Sequence, residues 1–185
     1  VAHLQREGIA QGVHQVGDVM RDAFDFNLEL ASSQATILQR LQLSAKDYSL
    51  VTVHRAESTD DRQAFAGIVD ALLQLAQPAQ MLVFPAHPRT AGILSQQLAG
   101  GIPAQLKVIA PVPYLDMLAL ELGAKTILTD SGGVQKEASW VGVPCVTLRN
   151  ETEWVETVSA GHNYLAGTTT AKILQGFAWA QQRGT

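Results

Sequence analysis

A serine and two glycines, Ser131, Gly132 and Gly133, stand between an apolar run that ends at Thr129 and a segment with helical spacing. Glycines let the backbone approach an anion closely, and the free N–H groups and dipole at the start of a helix favour phosphate. Ser131 adds a hydroxyl group. Glu137 lies one to two turns further along, where its carboxylate can accept hydrogen bonds from a ribose diol. The stretch therefore indicates a diphosphate site beside a ribose site.

The same stretch also fits a purely structural interpretation, in which Ser131 caps the helix and Glu137 is solvated on its surface. It is neither the six-residue dinucleotide-binding glycine fingerprint nor a Walker loop. The stretch alone leaves both interpretations open, and the residues that follow the other apolar runs favour the first.

Two histidine–arginine pairs follow two of those runs. His54 and Arg55 come after the first run, and His87 and Arg89 come after the second. A single histidine at a strand end is more often structural, but two at equivalent ends, each near an arginine, indicate an anionic ligand. The alternative for the second pair is a rigid proline-flanked turn with Arg89 as a surface charge.

These side chains need a scaffold that brings them to one edge. Short apolar runs occur at 48–53, 81–85, 106–109, 126–129 and 145–148. Helical spacing is found at 60–76, 89–99, 114–122, 132–141, 153–160 and 170–181. This alternation predicts an α/β fold, a Rossmann-like doubly wound parallel sheet over residues 41–185, with its ligand outside the carboxyl ends of the strands.

Capping residues predict where individual helices begin and end. We expect Ser58-Thr59-Asp60 to cap the first helix of the sheet region, and Gly123 and Gly142 to end helices in the left-handed conformation. Residues 1–40 fit the alternation less well. We predict a helix end there, a short strand near Val13–Val16, and a helix that continues to about Arg40.

Composition excludes several classes of function. The formal net charge of −4 and the isoelectric point near 5.7 provide no positive field for nucleic acid or an anionic membrane. The single cysteine, Cys145, offers neither a disulfide framework nor metal-ligand spacing, which favours a reducing, cytoplasmic compartment. No signal peptide or membrane span is recognisable. We expect no metal and no cofactor. Residues 1–8 resemble the middle of a helix, so we expect a segment of a longer protein.

Six motifs, in this order and spacing, resemble the non-hydrolysing UDP-N-acetylglucosamine 2-epimerases. They are Val53–Glu57, Phe84–Thr90, Pro113–Met117, Thr129–Ala138, Gly142–Cys145 and Arg149–Glu153. The resemblance implies a glycosyltransferase-B-like architecture of two Rossmann-like domains with a UDP-sugar in the cleft between them. It implies that residues 1–40 are the end of the N-terminal domain and the interdomain connection, and that the complete protein is a homodimer.

The resemblance also implies roles for individual residues. Ser131, Gly132 and Gly133 would hold the diphosphate, with Arg55 and Arg89 nearby, and Glu137 would hold the ribose. The loop from Val112 to Met117 would hold the uracil. His54 would reach the diphosphate or the reacting sugar, and His87 is the second catalytic candidate.

The reaction implied by the resemblance is epimerisation at C2, by elimination of UDP to a 2-acetamidoglucal and re-addition after the proton returns on the other face. The leaving diphosphate needs electrostatic stabilisation, and carboxylates must move protons. In the family those carboxylates belong to the N-terminal domain. The isolated chain is therefore expected to have no turnover.

Three positions depart from the family pattern. Met117 stands where many members have an aromatic residue against the base, and Ala56 replaces an arginine. Trp154 replaces an arginine in the stretch Thr152–Glu156, a variant that resembles the branch acting on UDP-2,3-diacetamido uronic acids. Trp154 also fits a simple role as a helix anchor. The sugar therefore stays open between UDP-GlcNAc and a modified UDP-2-acetamido sugar.

A second class of function stays open as well. Because the fold and a diphosphate turn are shared widely, the chain also fits a UDP-sugar-binding domain of a glycosyltransferase or a non-catalytic nucleotide-sugar-binding module. Catalytic carboxylates facing C2 would support an epimerase, whereas an acceptor cleft would support a transferase.

Overall fold

A computed structural model describes residues 1–98 and 100–183, apart from the side chain of Arg89. One sheet contains six strands, β1 (Tyr48–Thr52), β2 (Met81–Pro85), β3 (Leu106–Ile109), β4 (Thr126–Thr129), β5 (Cys145–Thr147) and β6 (Asn163–Leu165). All neighbouring strands are parallel, in the order β3-β2-β1-β4-β5-β6. That order is the doubly wound arrangement of Rossmann-like folds, so the predicted α/β fold is confirmed.

Ten helices connect and flank these strands in the described part of the chain. They are α1 (Ala2–Arg6), α2 (Val19–Gln34), α3 (Ile37–Leu41), α4 (Ala56–Thr59), α5 (Arg62–Leu75), α6 (Pro88–Gln97), α7 (Tyr114–Gly123), α8 (Gly132–Val141), α9 (Val155–Ser159) and α10 (Thr170–Gln181). Within that part, no helix combines the length and apolar character that a bilayer crossing requires.

The sheet is covered on both faces. Successive side chains of a strand point to opposite faces, so Val51 and Leu128 pack with α5 and α10, whereas Leu50 and Ile127 pack with α7 and α8. Strands covered on both faces are mostly apolar rather than alternating, which explains the apolar runs in the sequence. The candidate functional side chains therefore lie in the segments that follow the strand ends.

The N-terminal region differs from the prediction. Residues 13–16 form no strand, and the expected long helix is two helices, because Ala35 adopts an extended conformation with φ −72° and ψ 130°. The hydroxyls of Ser32 and Ser33 donate to carbonyls of the preceding turn, an alternative bonding pattern that weakens a helix near its end. Phe24 of α2 packs with Leu118 of α7, so α2 lies against the helices of the sheet unit.

Several element ends also differ. The cap of α5 is Asp61, whose side chain accepts from the N–H groups of Gln63 and Ala64, while residues 56–59 form the separate α4. Gly142 ends α8 with φ +70°, as predicted. Gly123 lies inside α7, whose C-cap is Ala124 in an extended conformation, so that prediction was wrong.

The sixth strand, β6, was missed. Its sequence Asn-Tyr-Leu is too short and too polar to form an apolar run. Two glycines with positive φ, Gly161 and Gly167, bracket it and are the only local signal of a short element there.

One close backbone approach yields a stability prediction. A Cβ atom on Gly67 of α5 would lie 2.4 Å from the carbonyl oxygen of Thr168. Because backbone cannot swing aside as a side chain can, Gly67→Ala is expected to lower the free energy of unfolding by about 1–3 kcal/mol.

The matched control is Gly92→Ala on α6, where an added Cβ meets no atom of the described residues within 4 Å. There alanine is expected to stabilise the protein by about 0.5–1 kcal/mol, because it is the better helix former. Urea denaturation of both variants measures the difference, and equal effects at the two sites would contradict the packing argument.

Candidate functional site

The sheet reverses its strand order between β1 and β4. From β1 the chain continues to β2 and β3 on one side, and from β4 to β5 and β6 on the other. Ligands of open α/β sheets bind in the crevice that forms beyond the carboxyl ends of the strands at such a point. His54 follows β1 and Ser131 follows β4, so two of the predicted site residues lie directly at this reversal.

A cleft of ≈ 200 Å³ opens at this edge. It is lined by Thr52, His54, Pro85, His87, Pro111, Val112, Met117 and Val134. The structure thus brings both predicted histidines together with Val112 and Met117, the two ends of the predicted uracil segment. That segment is not all loop as predicted, because residues 114–117 form the first turn of α7. The apolar walls are suited to a planar base, and Met117 supplies a thioether rather than a ring.

Asp130 organises the first of the two histidine loops. Its carboxylate is fully buried and accepts hydrogen bonds from the backbone N–H of His54 at 3.0 Å and of Arg55 at 2.9 Å. It also lies 3.4 Å from Nδ1 of His54. A carboxylate at Nδ1 fixes the orientation of an imidazole and leaves Nε2 to a ligand. Asp130 lies within the motif Thr129–Ala138, but the local pattern indicated no role for it.

The serine–glycine turn begins helix α8. Ser131 is its N-cap, with Oγ accepting from the N–H of Val134 at 3.5 Å, and the Ser131 N–H donates to Oγ1 of Thr129 at 2.9 Å. Gly132 and Gly133 are the first two helical residues, whose N–H groups have no intrahelical acceptor. The structural interpretation of Ser131 as a cap is therefore correct, and it leaves the two glycine N–H groups for an anion.

Little room separates Gly132 from its neighbours. A Cβ atom there would lie 3.2 Å from Nε1 of Trp154, 3.7 Å from Nη2 of Arg55 and 3.7 Å from Oε2 of Glu153. Because Gly132 has no side chain, the start of α8 stays open beside the N–H groups of Trp154 and Arg55. The predicted neighbour Arg55 is placed at the turn.

Two arginines and two glutamates form a network beside this turn. Arg149 makes a bidentate pair with Glu153, at 2.8 and 3.0 Å, and lies 3.8 Å from Glu57. Arg55 lies 3.8 and 3.9 Å from the same two carboxylates. The Arg149 hydrogen bond is the main cause that lowers the pKa of Glu153 to about 2. Since the two positive and two negative charges balance, backbone N–H groups are the main attraction for an anion here.

Trp154 is the N-cap residue of α9, but its indole ring lies against the start of α8. Nε1 of the indole is buried, lies next to Gly132 and has no hydrogen-bond partner among the described residues. The Lys136 ammonium lies 4.3 Å from the ring centroid and is paired with Asp18 at 2.5 Å. A buried N–H donor without a partner beside the open start of a helix is a candidate ligand contact. The sequence left Trp154 undecided between an anchor and a specificity role.

Glu137 lies on α8 beneath Tyr114, the first residue of α7. The Tyr114 hydroxyl donates to Oε1 of Glu137 at 2.7 Å, and only 5% of Glu137 is exposed. Burial raises the pKa of Glu137, while its hydrogen bonds with Tyr114 and Glu121 act in the opposite direction. Glu137 is thus held in the protein, not solvated as in the structural alternative.

Arg89 is the predicted site residue whose side chain lies outside the described part of the structure; its backbone is in α6.

The side chains that sequence reasoning missed, Asp130, Arg149 and Glu121, are all buried acids or bases next to the site. Glu121 carried a signal, because it follows Met117 by four residues and so shares an apolar face of α7. Within the described residues, no group of three or more His, Cys, Asp or Glu side chains is placed to hold a metal ion.

Comparison with known proteins agrees with this geometry. A protein-family model described as UDP-N-acetylglucosamine 2-epimerase matches residues 1–184. A Methanococcus maripaludis protein, a UDP-N-acetylglucosamine 2-epimerase homolog, is 48% identical over 177 residues, 94% of this chain and 49% of that protein. The Pseudomonas aeruginosa UDP-2,3-diacetamido-2,3-dideoxy-D-glucuronate 2-epimerase is 40% identical over 179 residues, 95% of this chain and 48% of that protein.

A solved structure is also similar. The crystal structure of Methanocaldococcus jannaschii UDP-GlcNAc 2-epimerase in complex with UDP-GlcNAc and UDP matches with a TM-score of 0.87 and 36% identity. The match covers 97% of this chain and 51% of that one. The chain spans about half the length of the curated relatives it matches.

Proposed function

Because the chain belongs to the UDP-N-acetylglucosamine 2-epimerase family, we propose that it is the C-terminal, UDP-binding part of a UDP-2-acetamido-sugar 2-epimerase. In this proposal residues 41–185 form the nucleotide domain. Residues 1–40 form the connection to an N-terminal domain that supplies the proton-transferring carboxylates. The family match over residues 1–184 favours this function over the glycosyltransferase alternative.

One observation carries the proposal: the open start of α8, at Gly132 and Gly133, adjoins the His54 loop at the reversal of strand order. A diphosphate placed there meets two glycine N–H groups, the positive end of the helix dipole and the unpartnered indole N–H of Trp154. Arg55 lies within reach of this diphosphate, but its positive charge is partly neutralised by Glu57 and Glu153.

The chemistry assigned to this chain is stabilisation of the departing UDP. Elimination increases negative charge on the diphosphate as the bond from C1 of the sugar to oxygen breaks. Donors fixed before the reaction stabilise that charge without reorganisation. His54, oriented by Asp130, presents Nε2 to the same region, and His87 faces it across the cleft. The proton at C2 is moved by carboxylates of the N-terminal domain, so the isolated chain has no turnover.

The nucleoside occupies the apolar part of the cleft in this proposal. Val112 and Met117 contact the uracil, and Glu137 accepts hydrogen bonds from the ribose diol, sharing its carboxylate with the Tyr114 hydroxyl. The sugar is a 2-acetamido sugar, either UDP-GlcNAc or a 2,3-diacetamido uronic acid derivative, the two substrate types named for the relatives. We further propose that the complete protein is a cytoplasmic homodimer, which its mass in solution and cell fractionation would test.

Calorimetric titration of the 185-residue chain with UDP, UMP and ADP tests the nucleotide site. UDP is expected to bind at least about tenfold more tightly than UMP, because loss of one phosphate removes at least one charge-assisted hydrogen bond. ADP is expected to bind more weakly than UDP, because the cleft that Val112 and Met117 help to line is small, ≈ 200 Å³, and a purine is larger than a pyrimidine. A folded chain that binds none of them, or binds UDP and ADP equally, would contradict the proposal.

A further inference from the structure

A ring of hydrogen bonds begins and ends at the backbone of Trp154. The Trp154 N–H donates to Oγ1 of Thr152 at 3.1 Å, and that hydroxyl donates to Oε1 of Gln135 at 2.5 Å. Nδ2 of Asn163 donates to the same Oε1 at 3.2 Å and to Oγ1 of Thr157 at 3.4 Å. The Thr157 hydroxyl closes the ring by donating to the Trp154 carbonyl at 2.7 Å. Both backbone polar groups of Trp154 are thus bonded to one network of side chains.

The direction of every bond in this ring follows from Trp154. Its carbonyl can only accept, so the Thr157 hydroxyl gives its one proton there and accepts from Asn163. Asn163 therefore presents its NH2 group, and Gln135 must present its carbonyl oxygen to that group. The same carbonyl accepts from the Thr152 hydroxyl, whose lone pairs accept from the Trp154 N–H. Because each orientation fixes the next, the ring has one arrangement, and its bonds strengthen one another.

The two amide side chains of the ring are anchored in the core. Gln135 on α8 is fully buried, and Asn163 at the start of β6 is 2% exposed. Oγ1 of Thr147 on β5 donates to Oδ1 of Asn163 at 2.8 Å, so both ends of that amide are held. A buried polar group that loses its partner has no water to replace it, which makes a broken ring costly. The segment before α9 is therefore fixed to α8 and to the sheet.

The side chain that this ring positions is the indole of Trp154. Its Nε1 is buried, lies 3.2 Å from the place of a Cβ atom on Gly132, and has no hydrogen-bond partner among the described residues. Gln135 is three residues beyond Gly132 on α8, so the ring ties the indole to the helix beside whose first N–H groups it lies. A donor that is fixed before a ligand arrives needs no ordering on binding.

We propose that Gln135 is a positioning residue for diphosphate recognition, which holds the Trp154 backbone through Thr152 and so fixes the indole N–H as a donor to the diphosphate. This inference rests on the proposed function, because it assumes that a diphosphate binds at the start of α8. Gln135 does not touch the ligand in this proposal. Its carbonyl oxygen is bonded to Thr152 and Asn163, and it acts through Trp154.

Calorimetric titration of the chain with UDP tests this role. Trp154→Phe keeps an aromatic ring but lacks the N–H, and is expected to bind UDP at least about tenfold more weakly, as loss of one charge-assisted hydrogen bond predicts. Thr152→Val breaks the ring of hydrogen bonds beside Trp154. It is expected to weaken UDP binding at least about threefold, because members of one hydrogen-bond network are energetically coupled. Thr152→Ser keeps the hydroxyl and is expected to bind UDP as wild type does.

Double variants separate positioning from a general structural role. In the Trp154→Phe background, Thr152→Val is expected to cause no further loss of UDP affinity, because the donor that the hydroxyl positions is already gone. Gln135→Met keeps the length of the side chain but removes the amide, and is expected to behave as Thr152→Val does in both backgrounds.

Thr170→Val is the matched control. It also removes a threonine hydroxyl that donates to a backbone carbonyl, that of Gly67 at 3.1 Å, but it lies on α10, which does not line the cleft. This variant is expected to lose stability in urea denaturation and to keep its UDP affinity. Loss of UDP affinity in Thr170→Val equal to that in Thr152→Val would contradict a specific role of the ring.

The outcomes distinguish the two proposals. If wild type does not bind UDP, the proposed diphosphate site fails. If UDP binds and Trp154→Phe binds it as tightly as wild type, the nucleotide site stands, but the indole contact and the role of Gln135 are overturned. That role is also overturned if Thr152→Val binds UDP as tightly as wild type, or weakens binding equally in the Trp154→Phe background. The Thr152 variants decide this point even where Gln135→Met fails to fold.

Discussion

Asp130→Ala is expected to destabilise the protein by about 2–4 kcal/mol, because two partly buried hydrogen bonds to a charged acceptor are lost and each contributes up to ~1.5–3 kcal/mol. Two donors lose their partner, the backbone N–H groups of His54 and Arg55. The same change removes the group that orients the His54 imidazole. Urea denaturation measures the loss of stability, and UDP titration measures the expected loss of affinity.

The matched control is Asp25→Ala. Asp25 pairs with Arg21 at 2.8 Å on the surface of α2, where both side chains are about half exposed. An exposed pair of this kind contributes less than about 1 kcal/mol. Similar losses for the two aspartates would show that the Asp130 carboxylate does not support the loop as described.

Gly132→Ala is expected to lower UDP affinity at least about tenfold, since one charge-assisted hydrogen bond contributes ~1.5–3 kcal/mol and 1.4 kcal/mol is a factor of ten. The added methyl group would lie 3.2 Å from Nε1 of Trp154 and 3.7 Å from Nη2 of Arg55, and so would crowd the start of α8 where the diphosphate is proposed to bind. Alanine is compatible with a first helical position, so the fold is expected to persist.

Two controls make this result specific to the diphosphate. Gly92→Ala makes the same substitution in open space on α6 and is expected to leave UDP affinity unchanged. Uridine, which lacks phosphates, is expected to bind wild type and Gly132→Ala equally. An unchanged affinity of Gly132→Ala for UDP would exclude the start of α8 as the diphosphate site.

Local patterns were sufficient to predict the sheet and the part of the site that follows strand ends. Five apolar runs separated by helical segments indicated a parallel sheet, and the placement of His54, His87 and Ser131 at one edge followed from parallel strands sharing an end. Cap and boundary predictions were less successful. Asp61 rather than residues 58–60 caps α5, because neighbouring polar residues compete for the same role.

Amino-acid order alone determined the fold class and the glycine turn, because each depends on residues close in the chain. Only the tertiary structure decided which side chains, distant in the sequence, contact these local features. Asp130 reaches back across 76 positions to the backbone of His54, and Trp154 lies against Gly132. Glu137 accepts a hydrogen bond from Tyr114, which belongs to another helix. Their burial and charge depend on partners far away in sequence, and a pattern of neighbouring residues does not contain such distances.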